Sequence, residues 1–280
     1  MGRTSILSRN KRRKTLLKFL KNFLIVFFGG ALIISLIAII THLERFKISE
    51  ISVAGNTSVP SEYVLDIVKE TIDGSYALIL SRDNFLIYPR KNIKNNILNN
   101  IPRIRNVFFS LDGFNTLNVL IEERKPFALW CGMEIDERRE CYFLDDESFI
   151  FAKAPRFSED VYLKYLGGQV NESNPISSHY YNDKEFFEEL NRFLEAIEDM
   201  DFSVSKLFYD GGIEFEAIFS GGEKLIFSSE YPLIDTYDRL FILLRENEDD
   251  LFHEGGEPAF EYIDMRFGSR IFYLPSNDVQ

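Results

Sequence analysis

The stretch FLIVFFGGALIISLIAIIT, running from Phe23 to Thr41, carries no charge, and it divides the chain into two parts of opposite sign. As a helix rising about 1.5 Å per residue, it reaches nearly 30 Å, the hydrocarbon thickness of a bilayer. On its N-terminal side lie eight basic residues, Arg3, Arg9, Lys11, Arg12, Arg13, Lys14, Lys18 and Lys21, and no acid. Cations clustered beside a span stay on the cytoplasmic side, so the bulk of the chain is expected outside. A cleavable signal would have a shorter apolar core ending in small residues. Here the run passes through Ile37, Ala38, Ile39 and Ile40 into Thr41, His42 and Leu43 with no such site, and an uncleaved anchor is expected.

All 44 acidic residues follow Leu43, against 24 basic ones, which leaves the exported part at −20. A surface that acidic repels phosphate backbones, and no nucleic-acid partner is expected. With 45% hydrophobic residues, 27 Phe and 13 Tyr, the chain has ample material for one or two packed domains. The two cysteines, Cys131 and Cys141, flank a charged turn, Asp136 to Glu140, between strand-like stretches at Phe127–Trp130 and Tyr142–Leu144. Adjacent hairpin strands would bring the thiols within bridging reach, which favours a disulfide over two reduced, half-buried residues. His42, His179 and His253 are scattered without ligand spacing, so neither a metal nor a cofactor is expected.

The exported chain reads as two modules of an α+β protein. In the first, Ile48, Ile51 and Val53 make a strand that stops at Gly55-Asn56. Pro60 and Glu62 suit a helix start, and Val64, Leu65, Val68 and Ile72 recur at helical spacing up to Gly74. After a loop containing Leu78, Leu80 and Phe85, Ile93, Ile97, Leu98 and Ile101 mark a second helix, closed by Pro102. Val107 to Leu111 and Leu117 to Ile121 are strands joined by a turn at Asp112–Asn115. The order is strand, helix, helix, strand, strand.

The second module opens with Tyr142–Asp145 and Ser148–Phe151 around an acidic turn, then a strand at Val161–Leu166 and a loop from Gln169 to Tyr181. Phe186, Leu190, Phe193, Leu194 and Ile197 stripe a helix whose Glu188, Glu189 and Glu195 face water. Three strands follow as a meander, Val204–Tyr209, Ile213–Phe219 and Lys224–Phe227. Pro232 starts a further helix with Leu233, Tyr237, Leu240, Phe241 and Leu244 on one side, and acids with Gly255-Gly256 break it. Phe260–Phe267 and Arg270–Leu274 form a closing ribbon around Gly268-Ser269.

Ile51-Ser-Val-Ala-Gly-Asn56 after a span, Asn100-Ile-Pro-Arg-Ile-Arg-Asn-Val107, Leu117-Asn-Val-Leu-Ile-Glu-Glu-Arg-Lys-Pro126 and Tyr262-Ile-Asp-Met-Arg-Phe267 together resemble the FtsQ/DivIB family of bacterial cell-division proteins. The resemblance covers nearly the whole exported chain except loops 131–141, 167–182 and 247–259, and the cysteine pair is not a general feature of the family. It implies a basic cytoplasmic tail at 1–22, a transmembrane helix at 23–43, a POTRA domain at 46–124, a C-terminal β domain with packed helices at 125–274, and a short tail at 275–280. It also implies a non-enzymatic scaffold at the division septum of the inner (plasma) membrane. Its extracytoplasmic final sheet edge would bind bitopic FtsB/FtsL-like proteins, and other divisome membrane proteins would gather on the remaining parts.

Competing chemistry is weak. Ser203-Val-Ser-Lys206 matches the S-x-x-K pattern of penicillin-binding enzymes, but so does Ser8-Arg-Asn-Lys11 in the basic tail, and no K-T-G or S-D-N accompanies either. Asp145-Asp146 and Asp249-Asp250 fit solvated turns in so acidic a chain, and no glycine pair carries a phosphate-binding fingerprint. No catalytic residue is expected. A sheet edge, by contrast, offers unpaired N–H and C=O groups to an extended partner. The candidate contact residues are Phe267, with Ile271, Phe272 and Tyr273 beside it, while Arg266 either joins this surface or locks the strand internally. Because strand side chains alternate, part of this set must face the module's own core. A membrane-anchored POTRA chaperone for exported or outer-membrane chains is the alternative; it calls for several POTRA repeats or a following barrel.

Overall fold

The computed structural model describes residues 5–77, 79–133, 140–157, 161–200, 202–253 and 257–276. Leu78, most of the charged turn after Cys131 and the Gly255-Gly256 pair lie outside them. Helix α1 (Ser5–Thr41) is one continuous element, so the described part of the basic N-terminal segment is helical as well. Its stretch Leu16–Thr41 contains an 18-residue window of mean hydropathy 2.9 with no residue buried in the protein, which makes it long and apolar enough to cross a membrane. The chain divides into two compact units, Met1–Glu123 and Arg124–Gln280.

The first unit continues through a 3-10 turn at Glu44–Phe46 and strand β1 (Glu50–Ala54) into helix α2 (Ser61–Ile72). A small ribbon, β2 (Ser75–Tyr76) with β3 (Leu80–Ser81), occupies what the sequence suggests is loop. Helix α3 (Arg90–Asn100), β4 (Ile104–Asp112) and β5 (Thr116–Glu123) complete it. β5 is central, parallel to β1 and antiparallel to β4. Val64, Val68 and Ile72 repeat every four residues, so α2 turns one stripe inward to meet Ile93 and Ile97 of α3 over Val107, Leu117 and Val119. Truncating one of these, such as Ile97 to Ala, costs roughly 2–5 kcal/mol.

Two backbone devices close this unit. Gly55 sits at φ +84, and a Cβ there would lie 2.2 Å from the Ile121 carbonyl oxygen, so only glycine lets the chain leave β1 so close to β5. Pro60 caps α2 without a side-chain hydrogen bond. The orphan donors just before it are met from a distance: the Glu123 carboxylate accepts N–H bonds from Thr57, Ser58 and Val59 at 2.7–2.9 Å. Burial pushes the Glu123 pKa up, but these three donors and the charge of Arg103 outweigh it and hold the carboxyl below its usual value.

The second unit is a nine-stranded sheet over two helices. Its strands are β6 (Ala128–Trp130), β7 (Tyr142–Leu144), β8 (Ile150–Lys153), β9 (Lys164–Gly167), β10 (Val204–Tyr209), β11 (Glu214–Phe219), β12 (Lys224–Ser228), β13 (Phe260–Phe267) and β14 (Arg270–Pro275). They lie in the order β14-β13-β12-β11-β10-β9-β6-β7-β8. Most neighbours are antiparallel; β9–β10, β12–β13 and β6–β9 are parallel. Parallel neighbours need long crossovers. Helix α4 (Lys184–Glu198) supplies the one from β9 to β10, and α5 (Leu233–Glu246) with the short α6 (Glu248–Leu251) the one from β12 to β13.

Both long helices bury their stripes in one core with Trp130, Tyr165, Leu207, Phe215 and Phe227. In α4, capped by the Asp183 carboxylate on the Phe186 N–H, Phe187 is the fully buried aromatic and Phe186 only packs at the margin. In α5 the expected inward stripe needs one correction: Phe241 is 47% exposed. It follows Leu240 by about 100° of helix rotation, which carries it off the stripe that Leu240 and Leu244 share. On the opposite sheet face a smaller cluster, Leu129, Cys131, Phe143, Phe151 and Leu166, covers the β6–β8 end. There Cys131 and Cys141 are disulfide-bonded, with Cα atoms 4.2 Å apart just beyond the Trp130–Tyr142 pair. Asp145, fully buried, pairs with Arg124 at 2.5 Å and accepts backbone N–H bonds from Glu147 and Phe149, while the Arg124 guanidinium also lies over the Phe149 ring.

Candidate partner-binding edge

β13 and β14 are antiparallel and joined by Gly268-Ser269, with Phe267 opposite Arg270. Gly268 takes φ +61, the backbone geometry so tight a reversal demands. Among the described residues β14 pairs with β13 alone and forms one edge of the large sheet. Cross-strand partners point to the same face. Ile263 and Tyr273 therefore share the helix-covered face, where Ile263 is buried and Tyr273 and Ile271 pack partly against the core. Asp264 pairs with Phe272 and Tyr262 with Leu274 on the face that carries no helix.

The five residues singled out from the sequence thus fall into three roles. Phe267 and Phe272 are 53% and 51% exposed and touch each other. Ile271 and Tyr273 serve the internal core, as strand alternation requires. Arg266 is engaged within the unit: its guanidinium binds Asp264 at 2.7 Å and Glu214 at 2.7 Å. Sequence reasoning missed Leu274, exposed two residues beyond Phe272, and the ion cluster Asp264–Arg266–Glu214 next to the rings. The i, i+2 spacing of Phe272 and Leu274 carried the first signal; Glu214, 52 residues from Arg266, left none.

Burial raises the Asp264 pKa, but the hydrogen bonds and charge of Arg266 overcome this and hold the carboxyl below its ordinary value. The same bonds push the Arg266 pKa up. The edge therefore presents two rings and a leucine beside an ion cluster in which one guanidinium faces two carboxylates, leaving a formal charge of −1.

Ser203 precedes β10 and gives its carbonyl to the Ser220 N–H, while Lys206 lies within the strand. Ser148 Oγ lies 3.4 Å from His179 Nδ1, but the serine is fully buried and its hydroxyl donates to the Tyr181 carbonyl. Among the described residues no three His, Cys, Asp or Glu side chains converge as metal ligands. No family model matches the chain, and no curated protein matches it.

Proposed function

We propose that the protein is a single-pass membrane scaffold of the bacterial division machinery that captures an FtsB/FtsL-like bitopic partner by strand addition at β14. The observation that carries this reading is the sheet edge itself. Among the described residues β14 has one neighbour, and the helix-free side of the β13–β14 ribbon exposes Phe267 of β13 with Phe272 and Leu274 of β14. An added strand gains main-chain hydrogen bonds along the edge, and its alternate side chains pack on the exposed rings. The strand–helix–helix–strand–strand order of the first unit supports assigning it as a POTRA domain. The apolar helix supports an anchor, with the basic N-terminal segment inside and the acidic bulk outside.

The test is a photo-cross-linking residue at Phe272 in the full chain, in dividing cells. A single bitopic coiled-coil adduct enriched at the septum is the expected result. A spread of unfolded exported clients would move the assignment to a chaperone, and no adduct at all would remove β14 from the binding surface.

A further inference from the structure

We propose that the end of the first unit that adjoins α1 docks onto the bilayer surface through Leu43, Ile79, Leu86 and Phe114, so that this unit lies on the membrane rather than swinging from it. The proposal rests on the reading of α1 as an anchor.

Three segments remote in sequence meet at the end of that helix. The Thr41 carbonyl accepts a hydrogen bond from the buried Asn84 amide, and the His42 ring lies 3.1 Å from the Ile79 carbonyl oxygen. Ile48 N–H donates to Asp83 at 2.7 Å and Phe85 N–H to Phe46 at 3.0 Å, so the residues after β3 run antiparallel to those leaving the helix. The β4–β5 turn joins them through Phe114, whose ring meets Phe46 at 5.8 Å and Phe85 at 5.0 Å.

The junction exposes large apolar side chains beside charged ones, since Glu44 and Arg45, which follow Leu43, are exposed as well. Leu86 is 70% exposed, and Leu43, Ile79 and Phe114 are each close to half exposed. Large apolar side chains gathered in one patch mark a surface that is covered in use. Continuity identifies the cover: the apolar stretch of α1 ends at Thr41, and Leu43 comes two residues later. If the helix crosses the bilayer, residues hydrogen-bonded to its last turn sit at headgroup depth, where aromatic and aliphatic groups are at home. The rest of the unit runs away from this end. β5 starts at Thr116, paired with Glu50, and reaches Leu120 about 13 Å farther along at roughly 3.3 Å per residue. Tyr63, exposed at the start of α2, lies at the far end of the helix from Ile72 and Asp73, which approach the junction.

Because Cys131 and Cys141 are bridged, an introduced cysteine in the full chain takes a nitroxide label alone. Labels at Leu86→Cys and, independently, Ile79→Cys are compared with Ser35→Cys inside the span and Tyr63→Cys, in vesicles of phosphatidylcholine holding no other protein. Dissolved oxygen concentrates in lipid and a nickel chelate stays in water, so the ratio of collisions with the two reads depth. The expected result is a ratio at positions 79 and 86 several-fold above that at 63 and approaching that at 35. A lipid-like ratio at 35 with water-like ratios at 79 and 86 overturns the docking and leaves the anchor standing. A water-like ratio at 35 removes the anchor, and the docking with it.

Discussion

Phe267 and Phe272 stand edge to face across the final hairpin, ring centroids 5.5 Å apart and planes at 88°, with about half of each ring in solvent. The pair closes the turn and at the same time offers apolar surface at the end of the sheet. Phe272→Ser, which sets no second carboxylate opposite Asp264, is expected to abolish partner capture while changing stability by no more than about 0.5 kcal/mol beyond the loss of one aromatic pair. Affinity measured on the purified full chain, next to a thermal melt, checks it. Unchanged affinity takes Phe272 out of the interface.

The carboxylate of Glu123 is the only side chain meeting the Thr57, Ser58 and Val59 N–H groups in the hydrogen bonds described for them. Glu123→Gln keeps the shape and one acceptor oxygen but removes the charge, and a hydrogen bond to a charged group contributes about 1.5–3 kcal/mol net. A loss of roughly 1–2 kcal/mol in the first unit is expected, since water can reach the vacated donors. The pH dependence follows from the lowered carboxyl pKa. Its stabilisation is complete above the ordinary value of 4.5 and fades as pH falls below it. Wild type and variant should therefore converge in acid, and parallel stability curves down to low pH would contradict this role.

Arg124→Ala leaves the Asp145 carboxylate buried without its cation. Breaking a buried pair costs about 3–5 kcal/mol, and the two backbone N–H groups still bound to Asp145 place this case at the lower end. Chemical denaturation of the variant measures it. Arg124→Ala combined with Asp145→Asn should recover part of the loss.

Reductant is expected to lower the melting temperature of the second unit through the Cys131–Cys141 bond, whose partners are 10 residues apart. The chain-entropy estimate for so short a loop is on the order of 2–3 kcal/mol. A Cys131→Ser/Cys141→Ser chain should melt at the reduced temperature with or without reductant. Identical melts for all forms would show that the bond adds no stability.

Periodicity located almost every element of this fold, because apolar side chains at intervals of two or four residues have only one way to reach a common core. Val64, Val68 and Ile72 announced α2 in this way, and the alternation of Leu117, Val119 and Ile121 announced β5. Helix phase was less legible where apolar residues are adjacent. Phe186 and Phe187, or Leu240 and Phe241, are chemically alike, and only the packed partner decides which turns inward. Strand neighbours were not legible at all. That β9 lies between β6 and β10 depends on where α4 crosses, and the ion cluster beside the final ribbon forms only once β11 and β13 approach from distant sequence. The edge was legible as a closing ribbon; which of its residues face outward required the register Asp264 to Phe272.

Trp130 is the one tryptophan in the chain, fully buried in the second unit, its indole N–H donating to the Gly167 carbonyl at 2.9 Å. Gly167 has no room for a side chain, since it takes φ +72 and a Cβ there would lie 2.1 Å from the Tyr209 carbonyl oxygen, so only glycine presents its carbonyl to the indole in this way. Intrinsic emission therefore watches half of the molecule. An unfolding transition followed at the indole wavelength reports the nine-stranded sheet and is blind to the span and the unit attached to it, whose own melting must be followed by backbone dichroism.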